Sequence, residues 1–106
     1  MFKKAATAIL ITSLPGFVSA KDTAIKGDIE YGQHLAAECV TCHSARGKDK
    51  GIPPITGWDT DTFTSVVKAY KSNQLENLAM RLIAKRLDDE QIASLALYFA
   101  SQPDSE

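Results

Sequence analysis

Cationic excess is missing from this sequence: 12 lysines and arginines face 13 aspartates and glutamates over 106 residues, a formal net charge of −1. A chain that grips phosphate backbones needs a basic surface, so nucleic-acid binding is excluded at the outset. A long unbroken apolar run is also missing. The one candidate, from Ala5 to Val18, is interrupted by Pro15-Gly16, whereas a bilayer span takes about 20 apolar residues. Strand alternation and hairpin signals are convincing nowhere, which leaves an all-α reading. Cysteine and histidine are scarce, with two of each. A closed structural zinc site takes four ligands, commonly as two pairs. Beyond Cys39, Cys42 and His43, only His34 and carboxylates remain to complete one.

The two ends of the chain differ in character. "MFKKAATAILITSLPGFVSA" has two lysines, an apolar stretch and a small-residue close at Val18-Ser19-Ala20. That is the layout of a secretory signal peptide, expected to span residues 1–20 and to be cut after Ala20. Lys3 and Lys4 leave with it, and the remaining 86 residues carry 10 basic and 13 acidic side chains. Residues 21–28 are polar and aperiodic and read as a flexible lead-in to a single domain at 29–106. A domain of this size has a thin core and needs a staple: a disulfide, a metal or a cofactor.

Helical periodicity dominates that domain. A short helix is expected over residues 29–39, with Asp28 as its N-cap. Residues 44–58, "SARGKDKGIPPITGW", hold three glycines and two prolines and read as a loop. Thr60 or Asp61 then caps a helix whose Phe63, Val66, Val67 and Tyr70 share one face. Leu75, Leu78, Ala79 and Leu82 are expected to form a similar inward stripe. In the last helix Asp88 and Gln91 have capping-box spacing, and Leu87 with Ile92 has staple spacing. Ile92, Leu95, Ala96 and Phe99 form its buried face, and Pro103 ends it. A fifteen-residue loop is long for so small a domain unless it wraps something that is not protein.

Both cysteines fall within Cys39-Val40-Thr41-Cys42-His43. A disulfide between them closes too small a loop to restrict the unfolded chain much. A thioredoxin-like redox pair needs a βαβ setting that is absent. C-x-x-C-H is instead the signature of covalent haem attachment. Two thiols add to the two vinyl groups on one porphyrin edge, and the two intervening residues let one turn present both sulfurs. His43 then supplies an imidazole nitrogen to the iron. The second axial position is open to Met80, His34 or water on this reading.

With "CVTCH" and "AMRLIAKRLDDEQIASLALYFASQ" in place, the sequence resembles class I c-type cytochromes of bacteria over most of residues 29–102. The resemblance implies a small cytochrome c fold, three to four helices wrapped around one covalently attached haem c. It implies thioethers at Cys39 and Cys42, and His43 and Met80 as axial iron ligands, Met80 standing ahead of an Ala84-Lys85-x-Leu87-x-Asp89 match. His34 is then a surface histidine. It further implies that a loop carbonyl, that of Pro53 with Pro54 as the alternate, accepts the second ring nitrogen of His43. Gly32 and Tyr98 are expected to meet where the first and last helices cross, and Trp58 to lie near the haem edge. Ser44 departs from the glycine that many relatives carry, and residues 46–50 read as solvated loop charge.

A six-coordinate haem has no open position for substrate, so the resemblance implies an electron carrier rather than an enzyme, exported to the bacterial periplasm. Its partners are then donor and acceptor redox proteins. The run "FTSVVKAYKSNQLENLAMRLIAKRLDDEQIASLALYF" is also similar to the cytochrome subunit of flavocytochrome c sulfide dehydrogenases. That implies an alternative role as the haem subunit of a periplasmic dehydrogenase with a flavoprotein partner. A haem-based ligand sensor is the remaining alternative and needs an open sixth position.

Overall fold

Among the described residues, four of the five α-helices begin where a short polar side chain takes over unpaired backbone N–H groups. The computed structural model describes residues 25–103. The leader expected at residues 1–20 and the start of the lead-in lie outside the described residues. Helix α1 (Ile29–Leu35) starts behind Asp28, whose carboxylate accepts from the N–H groups of Glu30 and Tyr31. Helix α2 (Ala37–Val40) follows after Ala36. A 3-10 helix (Ala45–Lys50) ends at Gly51, where φ is 78°. Helix α3 (Thr60–Lys71), α4 (Leu78–Lys85) and α5 (Asp89–Ala100) complete the order. The capping box of α5 is formed in both directions between Asp88 and Gln91. No strand occurs among the described residues.

Three boundaries differ from the sequence expectation. The helix expected over 29–39 is split at Ala36, because the Cys39 N–H bonds to the Ala36 carbonyl in a tighter turn. The 44–58 segment is not structureless but holds the 3-10 turn. The cap of α3 is Asp59 rather than Thr60 or Asp61. Its carboxylate accepts the Thr62 N–H at 2.9 Å and the Thr62 hydroxyl at 2.8 Å.

The core is built on the crossing of α1 with α5. A Cβ added to Gly32 would lie 2.0 Å from the Ser94 carbonyl oxygen and 2.9 Å from Tyr98 Cβ. The two helices therefore touch backbone to backbone, and the Gly32–Tyr98 meeting expected from the sequence is part of that contact. Ser94 is fully buried, and its hydroxyl accepts the Asp28 N–H at 2.9 Å, which pins the residue before α1 to α5. Ile92, Leu95, Ala96 and Phe99 are all buried, as their stripe predicted. Phe63 of α3 stacks on Phe99 with ring centroids 5.6 Å apart. Each large side chain buried this way stabilises the fold by roughly 1.5–3 kcal/mol. The Gly57 N–H bonds to the Phe99 carbonyl and ties the end of the long loop to α5.

Helix α4 reverses its expected face. Leu78 is 74 % exposed and Leu82 57 %, and Leu75 just before the helix is 38 % exposed. The inward set is Met80, Ile83, Ala84 and Leu87 instead. That set also has i, i+3, i+4, i+7 spacing, so the periodicity offered two faces. The small Ala84, with no exposed surface, lets the helix approach the core closely. Burying the leucine stripe would have turned Ala84 and Met80 outward.

Two outcomes test this frame. Gly32→Ala should cost about 2–4 kcal/mol, because the obstacle is backbone that cannot move aside; thermal unfolding of the purified variant measures it. Bonds from the Thr62 N–H and then the Thr62 hydroxyl hold the Asp59 carboxyl below its ordinary value of 3.8. A lowered folded pKa contributes stability above the ordinary value that is lost as pH falls through the lowered one. Asp59→Ala should therefore lower Tm at neutral pH, with the gap to the parent closing in strong acid.

Candidate functional site

Helix α2 runs into the cysteine motif without a break in its turning. The Cys42 and His43 N–H groups both bond to the Cys39 carbonyl, at 3.2 and 2.8 Å. Residues three and four apart on such a turn share one face. Cys39, Cys42 and His43 accordingly all line one cleft of about 300 Å³. The two cysteines are not bonded to each other. Burial, followed by the charges of Glu38 and Cys42, pushes the Cys39 thiol up to about 11. A redox-active or nucleophilic cysteine needs the opposite shift, toward thiolate. The thiol oxidoreductase reading thus lacks a βαβ setting among the described residues, and the Cys39 thiol is shifted away from thiolate.

His43 is held from the loop. Its Nδ1 lies 2.7 Å from the Pro53 carbonyl oxygen. A carbonyl only accepts, so Nδ1 carries a proton, which in the neutral ring leaves the lone pair on Nε2. A ring held in this way is fixed in tautomer and orientation and is the better donor to a metal. The bond goes to Pro53, not Pro54. Ser44 sits at φ −87°, ψ 177°, an extended conformation open to any residue, so the serine in place of glycine carries no strain there.

Met80 reaches the same cleft from α4 and is half-buried. Its backbone is fixed by Asn77, whose side-chain oxygen accepts the Met80 N–H at 2.9 Å. Arg81 braces the turn before the helix, its guanidinium donating to the carbonyls of Leu75 at 2.7 Å and Asn73 at 2.9 Å. Asn73 is left-handed there, φ 65°. Neither Asn77 nor Arg81 stands out in the sequence reading. Asn77 was readable as an N-cap ahead of an apolar run; the bracing by Arg81 depends on a folded turn and was not.

The walls are apolar. The face of α3 formed by Phe63, Val66, Val67 and Tyr70 lines the cleft, with Trp58 from the loop and Leu95 from α5. His34 is exposed on α1 and does not line it. Among the described residues no group of three His, Cys, Asp or Glu side chains is arranged as a metal cage. Two unpaired thiols, an imidazole with a free Nε2 and a thioether in an apolar cleft form a donor set suited to a covalently attached haem.

Known proteins point the same way. Residues 29–103 match the family model described as Cytochrome c. The chain is 37 % identical over 83 residues to cytochrome c-554(548) of Halomonas halodenitrificans, covering 72 % of this chain and 98 % of that one. It is 30 % identical over 104 residues to cytochrome c4 of Pseudomonas aeruginosa, covering 96 % of this chain and 49 % of that protein, about half its length. A 63-residue stretch is 36 % identical to part of calcium-dependent protein kinase 25 of Arabidopsis thaliana. That match spans 12 % of the kinase and carries none of its activity to this chain.

The cap of α4 is directly testable. Asn77→Ala removes the acceptor for the Met80 N–H and should cost about 1 kcal/mol. Thermal unfolding at neutral pH measures the loss, and Asn77→Asp should largely restore stability.

Proposed function

The chain belongs to the cytochrome c family, and on that footing we propose that it is an exported, diffusible monohaem electron carrier whose haem c is held by Cys39, Cys42, His43 and Met80. Family membership brings haem c and electron transfer with it; the assignment of each residue and the export to a periplasm are the proposed part. The observation that carries the assignment is convergence. All four side chains line one apolar cleft, and the His43 ring is already oriented by Pro53.

Cys39 and Cys42 would hold the haem through two thioethers, each thiol giving its sulfur and its hydrogen to one vinyl group so that nothing is oxidised. When bound, the haem supplies a one-electron couple at its iron. His43 would bind the iron through Nε2, with the Pro53 carbonyl holding the ring's orientation. Met80 would supply the iron with a soft thioether, a ligand that favours the reduced state and raises the potential. Phe63, Val67, Ile83 and Leu95 exclude water from the cleft, and a dry surround also disfavours the added charge of the oxidised centre. Held by both His43 and Met80, the iron would have no place for a substrate, which would separate a carrier from an enzyme or a ligand sensor. Removal of residues 1–20 after Ala20 belongs to the same proposal.

A second reading, the haem subunit of a periplasmic sulfide dehydrogenase, draws on the similarity over residues 63–99. Stable co-purification with a flavoprotein would favour it over the diffusible carrier.

Met80→Ala should abolish the weak far-red absorption of the iron–thioether bond. It should also lower the potential by on the order of 100 mV. An unchanged band and potential would take Met80 out of the site. Cys39→Ala combined with Cys42→Ala should leave a largely unfolded, colourless polypeptide, because a domain this small lacks a sufficient core without its cofactor. Circular dichroism and a pyridine haemochrome assay read the two effects.

A further inference from the structure

Leu75, Leu78 and Leu82 lie along the outer side of the segment that carries Met80, and all three are exposed. Neither Leu78 nor Leu82 lines the cleft. Ala79, between them and Met80, is both exposed and part of the cleft wall, so the stripe runs up to the cleft opening. We propose that this leucine stripe is the docking face for a redox-partner protein presenting an apolar, uncharged surface beside its own cofactor. The proposal rests on the carrier reading above and names the kind of partner that reading requires.

Area and charge select this occupant. The three side chains expose on the order of 300 Å², far below the roughly 800 Å² per partner of a standard stable interface. A patch of that size suits a transient electron-transfer encounter better than a permanent dimer. The charges bordering it are neutralised from within the chain. Arg81 pairs with Glu76 at 3.3 Å and Arg86 with Glu38 at 3.2 Å. Lys85 alone continues the stripe as an exposed cation outside the ion pairs seen among the described residues. Such a face offers little for electrostatic steering and much for apolar contact. It also holds the partner against the helix that supplies Met80, which keeps the transfer path short.

The test uses the holoprotein and its Leu78→Gln/Leu82→Gln double variant, since glutamine keeps helix propensity and adds no charge. The probe is a gold electrode coated with a mixed methyl- and hydroxyl-terminated alkanethiol film, compared with carboxylate- and amine-terminated films. The parent should exchange electrons fastest on the apolar film, with little dependence on ionic strength. The variant should be slower there by about tenfold, the scale of losing leucine burial, with its solution potential and visible spectrum unchanged. An equal rate for variant and parent on the apolar film would overturn the proposal. So would a parent that prefers a charged film and slows steeply with salt. A stable dimer in sedimentation that the variant dissolves would assign the stripe to a second copy and also overturn it. Absence of a reversible solution couple in the parent would sink the carrier reading itself, a separate failure from a stripe that makes no difference.

Discussion

The contact on which the rest of this molecule depends is the backbone-to-backbone crossing of α1 and α5 at Gly32 and Ser94. Helices that touch this closely cannot slide or rotate without collision, since no side chain stands between them to yield. The crossing fixes α1, and α1 leads through the tight turn at Ala36 into α2 and the motif. It also fixes α5, whose Leu95 stands in the cleft wall and whose Phe99 anchors both α3 and the end of the long loop. The buried Ser94 hydroxyl adds a polar lock by accepting the Asp28 N–H. A buried hydroxyl left without a partner is costly, so this bond ties the residue before α1 to α5.

From that frame the site is assembled by three segments that are distant in the chain. The motif turn brings the thiols and His43. The loop brings Pro53, which decides where the imidazole proton sits. The α4 turn, braced by Asn77 and Arg81, brings Met80. The thin core of so small a domain and the apolar cleft are two aspects of one arrangement. Phe63 and Val67 belong at once to the packed interior and to the cleft wall. A group filling the cleft would therefore also complete the core.

Much of this was legible from residue order. The C-x-x-C-H spacing is a local matter: residues at i, i+3 and i+4 share a face whenever the chain turns helically. The α5 stripe and its capping box were legible for the same reason, since both ends of each interaction lie within one turn. Other features were not. The α4 segment carries two apolar sets with equal helical spacing, Leu75, Leu78, Ala79 and Leu82 in one and Met80, Ile83, Ala84 and Leu87 in the other. Periodicity alone has no means of choosing between them. The choice follows from how closely α4 must approach the core at Ala84. The cap of α3 shifted to Asp59 for a smaller reason: several polar residues stand in a row, and only folded geometry picks the one that reaches Thr62 N–H.

By itself the order of residues determined the helical class, the covalent attachment motif and the buried face of the last helix, because each is encoded over less than about three helical turns. Only the tertiary structure decided which carbonyl holds His43, which face of α4 turns inward and which leucines are left in solvent. Those depend on distances between segments far apart in the chain, set by the closeness of the α1–α5 crossing and the fit of Ala84 against the core.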